Sequence, residues 1–224
     1  MHADEQPSGT PHERSAGILP ASPSSLLSWR SRGYLPHIDE PGLVQSITFR
    51  LHDALPQTAL DTYELEAAAI TRRLADNQTP CAEARARARI KFIENFLDAG
   101  HGSCALRDPR IATVVQGALL HFDRERYALI AWCVMPNHVH VVIQTKTGFS
   151  LASVVQSWKS HTAKQANRLF ARMGTFWQRE YFDRFVRDTE HLKRVVAYID
   201  RNPVKAGLVR EGRDWPHSSA GWRP

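Results

Sequence analysis

The run Trp132–Ile143 constrains the fold more than any other part of this chain. Its valine and isoleucine residues favour strands, and the Pro136-Asn137 pair between them favours a tight turn, so the run predicts two strands joined by that turn. Side chains alternate along a strand, which places His138 and His140 on one face and apolar side chains on the other. We therefore expect a sheet that presents an imidazole pair on one face.

The histidine pair admits two interpretations. Two adjacent imidazoles form half of a metal site, because histidine is the commonest metal ligand. The chain has 11 histidines, however, so a His-x-His pattern also arises by chance on a protein surface. Residues elsewhere in the chain have to decide between the two interpretations.

The composition is that of a soluble globular protein. The chain has 224 residues, of which 42% are hydrophobic and 23% are charged, and this is enough for one sizeable domain. No apolar run approaches the ~20 residues of a membrane span, and the first residues lack the basic and apolar regions of a signal peptide. The three cysteines form neither a zinc pattern nor a disulfide framework. We expect a cytoplasmic protein with no membrane partner.

The charge is unevenly distributed along the chain. Residues 126–224 contain 16 Lys and Arg against 7 Asp and Glu, a net of +9, whereas residues 1–125 contain 13 against 16, a net of −3. A basic half that also carries the histidine pair favours a polyanionic partner, because phosphate backbones are bound mainly by Lys and Arg. A solvated basic surface is the alternative, but the segregation favours nucleic acid and hence a nucleoid-associated protein.

The patterns along the chain predict a tail followed by one domain. Residues 1–30 are rich in Ser, Pro and Gly and predict a disordered tail, and residues 31–224 predict a single domain with a helical insertion at 57–102. Alternating or helically spaced apolar residues predict strands at 44–51, 126–135, 138–145 and 181–186, and helices at 57–99, 108–122, 151–173 and 188–202, the last ended by Pro203.

This order of elements resembles a ferredoxin-like split β-α-β fold. The fold class is α+β, with an antiparallel sheet, helices on one face and extra inserted helices. In that fold the strand with His138 and His140 is central, and its polar face lines the open side of the sheet.

The last predicted helix carries two polar side chains at the edge of its apolar stripe. Tyr198 lies at the edge of its apolar stripe, and Asn202 lies one turn further along the same edge. A tyrosine at such an edge is more often a core-boundary residue, and an asparagine before a proline is usually a helix terminator. Tyr198 gains a chemical role only if its helix faces the two histidines.

Several motifs together resemble the REP-associated tyrosine transposases, which belong to the single-tyrosine His-hydrophobic-His (HUH) superfamily. The resemblance covers about residues 31–220, and the helical segment 57–102 looks like the variable part of that family. The motifs are Gly33–Asp39, Gln45–Leu51, Ala131–Val141, Phe176–Gln178, Tyr181–Arg184, Val196–Leu208 and Trp215–Ser219.

The resemblance implies metal-dependent cleavage and joining of single-stranded DNA through a 5′-phosphotyrosine intermediate. It implies that Tyr198 is the nucleophile, that His138 and His140 bind the metal, and that Asn202 supplies a third polar ligand. By ligand type alone, two histidines and an amide suit Mn²⁺, Mg²⁺ or Zn²⁺, whereas the resemblance points to Mg²⁺ or Mn²⁺. It also implies hairpin-forming repeated palindromes as the substrate and leaves a homodimer open.

Basic and aromatic residues of the second half are candidates for DNA contacts. Trp158, Trp177 and Phe182 are candidates for stacking on unpaired bases, with the core as the favoured location for Trp158. The alternative for each basic residue is a solvated charge. The basic candidates are Lys164, Arg168 and Arg172 on one predicted helical ridge, and Arg184, Arg187, Arg194, Arg201 and Lys205 around the tyrosine helix.

Three functions fit these features. The first is a transposase-like strand transferase, and the second is a hairpin DNA- or RNA-binding module without catalysis. The third is a metal-dependent hydrolase that uses the histidines to activate water. A covalent DNA adduct that depends on Tyr198 separates the first from the other two.

Overall fold

The structure is a computed structural model that describes residues 29–31, 36–38, 40–73 and 82–222. None of the helices in these residues is long and apolar enough to span a membrane. The strands are β1 (Trp29–Ser31), β2 (Pro36–Ile38), β3 (Val44–Arg50), β4 (Tyr127–Val134), β5 (His138–Thr145) and β6 (Phe182–Phe185). The helices are α1 (Gln57–Arg73), α2 (Ala82–Asp98), α3 (Pro109–His121), α4 (Leu151–Leu169) and α5 (Thr189–Lys205), with short 3₁₀ turns at Ala105–Arg107, Gly212–Asp214 and Ser219–Trp222.

The predicted N-terminal tail lies largely outside the described residues. Its last two residues, Trp29 and Arg30, are described and belong to β1, which pairs antiparallel with β2. The tail prediction for the remaining residues stays a prediction. A strand of three residues is too short to show the alternation from which strands are predicted.

The main sheet has the strand order β4-β5-β3-β6, and all neighbouring strands are antiparallel. Along the chain, β3, α3, β4, β5, α4 and β6 follow the β-α-β-β-α-β order of the predicted ferredoxin-like fold, which is confirmed with its α+β class. The histidine strand β5 is central, as predicted. Its register with β3 places Thr48 opposite His140 and Arg50 opposite His138.

One face of the sheet packs against α3 and α4. Ile47, Phe49 and Val141 point from the strands into this core, where they meet apolar residues of both helices. α3 begins as predicted, because the Asp108 side chain accepts a hydrogen bond from the Arg110 amide at the helix N-terminus. This layer is the main core of the domain and does not include His138 or His140.

Two of the three candidates for base stacking lie in this core. Trp158 is 2% exposed, as expected for a core residue. Trp177 is 4% exposed, packs edge-on against Phe49 at 4.9 Å, and donates its indole N–H to Thr162. The stacking prediction is therefore wrong for Trp177, because the core buries the ring faces that a base would need. Phe182 is half-buried and lines a cavity on the other face of the sheet.

The second face of the sheet packs against α5, so the expectation of helices on one face only is wrong. Ile199 of α5 lies in an apolar cluster with Cys133 and Val142 of the sheet. Val142 follows His138 and His140 on the same face of β5, which puts α5 over the histidine face. The helix docks there because its apolar stripe needs a partner and the first face is already covered.

α4 ends at Leu169, before the predicted end at residue 173. Ala171 has a φ of +48°, and Arg172 lies in the following turn, where its side chain donates to Asn167 and to the Thr175 carbonyl. The predicted basic ridge is therefore wrong for Arg172, because the left-handed residue stops the helical spacing on which the ridge depends.

α5 continues through Pro203 to Lys205 instead of ending at Asn202. Proline removes one helical hydrogen bond, that of its missing amide. The amide of Ala206 still donates to the Asn202 carbonyl and that of Leu208 to the Pro203 carbonyl, both at 2.9 Å. Because these bonds close the last turn, the helix tolerates the proline there.

Helices α1 and α2 lie in the segment 57–102, whose apolar spacing predicts helix over 57–99; residues 74–81 lie outside the described residues. Tyr63 of α1 stacks on Phe92 of α2, with ring centroids 4.5 Å apart. Leu97 of α2 reaches the main core, whereas Ile90 and Glu94 line the cavity on the histidine face. The segment therefore contributes side chains directly to the candidate site.

Candidate metal and tyrosine site

The two imidazoles of β5 face each other through equivalent atoms. Nε2 of His138 lies 3.0 Å from Nε2 of His140, and the rings meet edge to face. Their exposed fractions are 1% and 4%. Strand alternation predicts that the two side chains share a face, and in the structure their Nε2 atoms also converge on one point.

Asn137 fixes the tautomer of His138. The Asn137 amide nitrogen donates to the His101 carbonyl at 2.9 Å, so the amide oxygen is the atom that faces His138 Nδ1 at 2.7 Å. His138 therefore carries its proton on Nδ1 and presents a lone pair at Nε2. A partner that orients a ligating imidazole in this way is typical of metal sites.

Gly102 allows a close approach in the loop that contacts Asn137. Gly102 has a φ of +83°, and a Cβ there would meet the Asp53 carbonyl oxygen at 2.6 Å. Glycine permits both the left-handed backbone and the close approach. The neighbouring Ser103 amide donates to the Asp53 carboxylate at 2.8 Å. These contacts place the His101 carbonyl where Asn137 needs it.

Thr48 of β3 is the corresponding partner of His140. Its hydroxyl lies 2.9 Å from His140 Nδ1. A hydroxyl rotates and can either donate or accept, so Thr48 supports both neutral tautomers of His140. In one, His140 donates its Nε2–H to His138; in the other, Thr48 accepts Nδ1–H and both Nε2 lone pairs point at the same space.

Both imidazoles are neutral at neutral pH. Burial, followed by the neighbouring His140 and Lys205, lowers the pKa of His138 well below its ordinary value. Burial and then Lys205 lower the pKa of His140 to about 4. Neutral imidazole is the form that binds metals, so the environment holds the pair in its ligating state.

Tyr198 lies beside the histidine pair, within the distance that its predicted role requires. Its ring centroid is 5.7 Å from that of His140, with the planes at 80°. The hydroxyl is buried and makes no hydrogen bond of ordinary geometry among the described residues. Burial and the Glu94 and Asp98 carboxylates raise the pKa of the phenol, and the Asn202 side chain partly offsets that rise.

Asn202 lies one turn after Tyr198 and is completely buried. Neither its amide oxygen nor its amide nitrogen makes a hydrogen bond of ordinary geometry within the described part of the chain, although the side chain lies close enough to Tyr198 to lower the pKa of the phenol. A buried amide without partners is costly. A bound ion or a substrate group would relieve that cost, as expected for a polar ligand.

The residues present fit a divalent cation. Two ligand atoms bonded to one cation at about 2.1 Å and at right angles are separated by about 3.0 Å, which is the Nε2 separation of the pair. Over residues 40–73 and 82–222, no group of three or more His, Cys, Asp or Glu residues has the geometry of a metal site. A third protein ligand therefore has to be another residue type, such as Asn202, or a carboxylate that shifts slightly.

Two carboxylates of α2 belong to the site and were missed by the sequence analysis. Glu94 lines the cavity that also contains His140 and Tyr198. The Asp98 carboxylate lies 4.0 Å from His138 Nε2 and 2.8 Å from the Lys205 ammonium. The sequence does contain an indication of this, because Glu94 and Asp98 are one helical turn apart and next to the apolar residues that dock α2.

Comparison with known proteins gives a family match for the central part of the chain. Residues 109–202 match the family model for IS200-like transposases, and this span contains the histidine pair, Tyr198 and Asn202. The matched span covers less than half of the chain. The α2 carboxylates and Lys205 lie outside the matched span.

Named relatives confirm the resemblance to REP-associated tyrosine transposases. One from Haemophilus influenzae strain Rd is 30% identical over 103 residues, which cover 42% of this chain and 58% of the relative. One from Escherichia coli K12 is 28% identical over 107 residues, which cover 47% and 62%. The chain thus spans about three-fifths of the length of these relatives. A solved REP-associated tyrosine transposase bound to a REP hairpin is 19% identical with a TM-score of 0.48, covering 87% of this chain and 88% of that one.

Two of the basic residues predicted to bind phosphate lie at the candidate tyrosine site. Arg184 and Arg194 line a cavity of about 330 Å³ together with Phe182, His140 and Tyr198. The cavity therefore joins cationic side chains and one aromatic ring to the tyrosine and the histidine pair. This combination suits an unpaired nucleotide with its phosphate.

The other predicted phosphate ligands lie away from that cavity or have another partner. Lys164 and Arg168 are exposed on α4, in the layer across the sheet from the histidines. Lys205 forms the ion pair with Asp98. Arg187 is exposed between the end of β6 and the start of α5, and Arg201 is exposed near the end of α5. A phosphate role for these residues stays a prediction.

We expect Thr48→Val to weaken Mn²⁺ binding to this protein by about 10- to 100-fold. Valine keeps the branched shape but cannot accept Nδ1–H from His140, so the tautomer with an Nε2 lone pair loses its support. Isothermal titration with Mn²⁺ measures the change. Thr162→Val is the matched control, because that hydroxyl bonds only within the opposite core. Equal Mn²⁺ affinity of Thr48→Val and the wild type would contradict the assignment.

Proposed function

We propose that this protein cleaves and rejoins single-stranded DNA through Tyr198, with a divalent cation held by His138, His140 and Asn202. The observation that carries the proposal is the edge-on approach of Tyr198 to His140, at 5.7 Å between ring centroids, on the face where both Nε2 atoms converge. The family match over residues 109–202 supports it, because transposition requires DNA strands to be cut and joined.

We infer that the substrate is single-stranded DNA that forms hairpins. Both curated relatives are named REP-associated, which links them to repeated palindromes. A palindrome folds back on itself when it is single-stranded, and the cavity beside Tyr198 offers Arg184, Arg194 and Phe182 to an unpaired nucleotide. The net charge of +9 in residues 126–224 favours the same polyanion.

In the proposed reaction, the Tyr198 oxygen attacks a phosphorus atom of the DNA backbone. The bond between that phosphorus and the 3′-oxygen breaks, and the oxygen leaves with a proton as a free 3′-hydroxyl. The 5′-phosphate stays on Tyr198, so a second 3′-hydroxyl can reverse the step and join the strands without a nucleoside triphosphate. The cation would neutralise the negative charge on the phosphate and orient it.

The Tyr198 proton needs an acceptor, because burial and nearby carboxylates raise the pKa of the phenol. Glu94 lines the same cavity, and we assign this role to it. Burial raises the pKa of Glu94, and the Asp98 charge adds to that rise, while Lys205 and Arg184 oppose it. A carboxylate with a raised pKa is a stronger base than an exposed one and is better matched to phenol deprotonation.

We expect Glu94→Gln to slow cleavage by about 10²- to 10⁴-fold, the usual contribution of a positioned base. The wild-type rate should rise as the pH increases through the Glu94 pKa, because only the carboxylate accepts a proton. Single-turnover rates across the pH range should lose this acid limb in the variant. Glu64→Gln, an exposed carboxylate on α1, should keep the wild-type profile. A Glu94→Gln variant with an unchanged pH profile would refute the role.

The deciding experiment places two alternative labels on a hairpin-bearing single strand. The full chain is incubated with the strand and Mn²⁺, and a denaturing gel detects covalent protein–DNA adducts. Since Tyr198 would keep the 5′-phosphate, a label at the 3′ end of the strand should migrate with the protein and a label at the 5′ end should not. An adduct with the opposite label would overturn the proposed polarity of cleavage.

A hairpin-binding module without catalysis is the second candidate. The raised pKa of Tyr198 favours it, because a neutral phenol is a poor nucleophile. This candidate predicts binding of the hairpin without an adduct for either label. A water-activating hydrolase predicts cleavage without an adduct, so the same gel separates all three functions.

A further inference from the structure

Asp98, at the last position of α2, brings a buried carboxylate to the histidine pair. Its side chain is 10% exposed, and its Oδ1 lies 4.0 Å from His138 Nε2. Oδ1 accepts no hydrogen bond of ordinary geometry among the described residues, and Oδ2 faces the Lys205 ammonium at 2.8 Å. A buried carboxylate oxygen without a donor is costly unless a cation balances it. Lys205 provides one such charge, but only on the side of Oδ2.

Two separations around His138 are compatible with ligands of one cation. Ligand atoms bonded to one cation at about 2.1 Å are about 3.0 Å apart when adjacent and about 4.2 Å apart when opposite. The two Nε2 atoms are 3.0 Å apart, as adjacent ligands would be. Asp98 Oδ1 and His138 Nε2, at 4.0 Å, are close to the separation of opposite ligands. The three side chains do not form a complete metal site as they stand, so the Asp98 carboxylate has to move to join the shell.

Lys205 both orients Asp98 and opposes a cation at the site. Its ammonium holds Asp98 Oδ2 at 2.8 Å, which leaves Oδ1 directed toward His138. The Lys205 side chain is 45% exposed, so solvent screens the ion pair. The same positive charge lowers the pKa values of both histidines, and it must also repel a divalent cation held by them. Removal of Lys205 and removal of the Asp98 charge should therefore have opposite effects on metal affinity.

We propose that Asp98 is an oxygen ligand of the cation bound by His138 and His140, supplied by a helix outside the transposase match. The inference rests on the proposed function only in requiring that the histidine pair binds a cation. A carboxylate adds a hard oxygen donor to two imidazoles, which favours Mn²⁺ over softer alternatives and lowers the barrier to Mg²⁺. An Asp98 ligand would therefore explain how a site built on two histidines binds Mn²⁺ or Mg²⁺, the cations that support phosphate reactions.

Mn²⁺ titrations of the full chain without DNA test the assignment, with free Mn²⁺ followed by its electron paramagnetic resonance signal. We expect Asp98→Asn to weaken Mn²⁺ binding at least about 10-fold, by analogy with the loss of an outer partner of a metal ligand. Lys205→Met should bind Mn²⁺ as tightly as the wild type or more tightly. Glu190→Gln is the matched control, because it breaks an exposed ion pair of the same 2.8 Å length with Lys193. Its Mn²⁺ affinity should not change.

Each other outcome has a defined meaning. If Asp98→Asn and Lys205→Met weaken Mn²⁺ binding alike, the ion pair only docks α2 and the ligand assignment is overturned. If Asp98→Asn binds like the wild type while His140→Ala does not bind, Asp98 is no ligand but the proposed function stands. If the wild type itself binds no Mn²⁺, the cation of the proposed function fails as well. Should Asp98→Asn not fold, Asp98→Glu retains the carboxylate and should keep measurable Mn²⁺ affinity.

Discussion

Replacement of Tyr198 by phenylalanine is expected to abolish the covalent DNA adduct and to lower the cleavage rate at least about 10⁴-fold, as loss of a nucleophile does elsewhere. The adduct requires the phenol oxygen, and no other described tyrosine contacts the histidine pair in an aromatic pair. Hairpin binding should persist, because the ring and the lining of the cavity remain. The two-label gel and a hairpin titration measure both properties.

Tyr127→Phe is the matched control for this substitution. The Tyr127 hydroxyl donates to the Leu119 carbonyl and receives the Trp158 indole N–H in the opposite core. Its loss leaves buried groups without partners and should lower the free energy of unfolding by about 1 to 3 kcal/mol, with adduct formation retained. Tyr198→Phe should instead lose adduct formation and keep nearly the wild-type free energy of unfolding, because the Tyr198 hydroxyl makes no ordinary hydrogen bond. Cleavage that survives in Tyr198→Phe would rule out the tyrosine mechanism.

His140→Ala is expected to eliminate Mn²⁺ binding and to lower cleavage at least about 10³-fold, because a metal supplies several kcal/mol of charge stabilisation. His140 provides one of the two converging Nε2 atoms and also borders Tyr198, so its removal affects both halves of the site. Titration with Mn²⁺ and single-turnover cleavage measure the two effects separately.

His161→Ala controls for the simple loss of a histidine, because that residue is exposed on α4 across the sheet. It should keep wild-type Mn²⁺ affinity and cleavage. If His140→Ala formed adduct at the wild-type rate in the presence of a chelator, the metal role would have to be abandoned while Tyr198 could still be the nucleophile.

The local parts of this site could be predicted from the sequence. Alternation within the run Trp132–Ile143 defines the histidine face of β5, because side-chain direction along a strand depends only on position. The apolar stripe of α5 likewise predicts that Tyr198 lies at an edge of a buried surface. Neither pattern says which face of the sheet α5 covers, so the position of Tyr198 over the histidines needed the structure.

The partners of the histidines could not be predicted, because they depend on pairing between distant segments. Thr48 meets His140 through the register of β3 with β5, 92 residues along the chain. Asn137 was interpreted as a turn residue, and only the His101 carbonyl shows that its side chain orients His138. Glu94 and Asp98 lie in the segment that the family resemblance treats as variable. Their spacing among the apolar residues that dock α2 therefore does not lead to a prediction that they belong to the site.

The stretch 98–101 contacts both sides of the His138 ring. Asp98 approaches Nε2, and the His101 carbonyl reaches Nδ1 through Asn137. Undocking of α2 from the sheet would therefore change both nitrogens of one imidazole at once. By thermodynamic reciprocity, a cation that prefers this arrangement must also hold the helix in place. The amides of α2 should then exchange their hydrogens more slowly as Mn²⁺ is added. A helix outside the family match would thus respond to metal binding at the histidine pair.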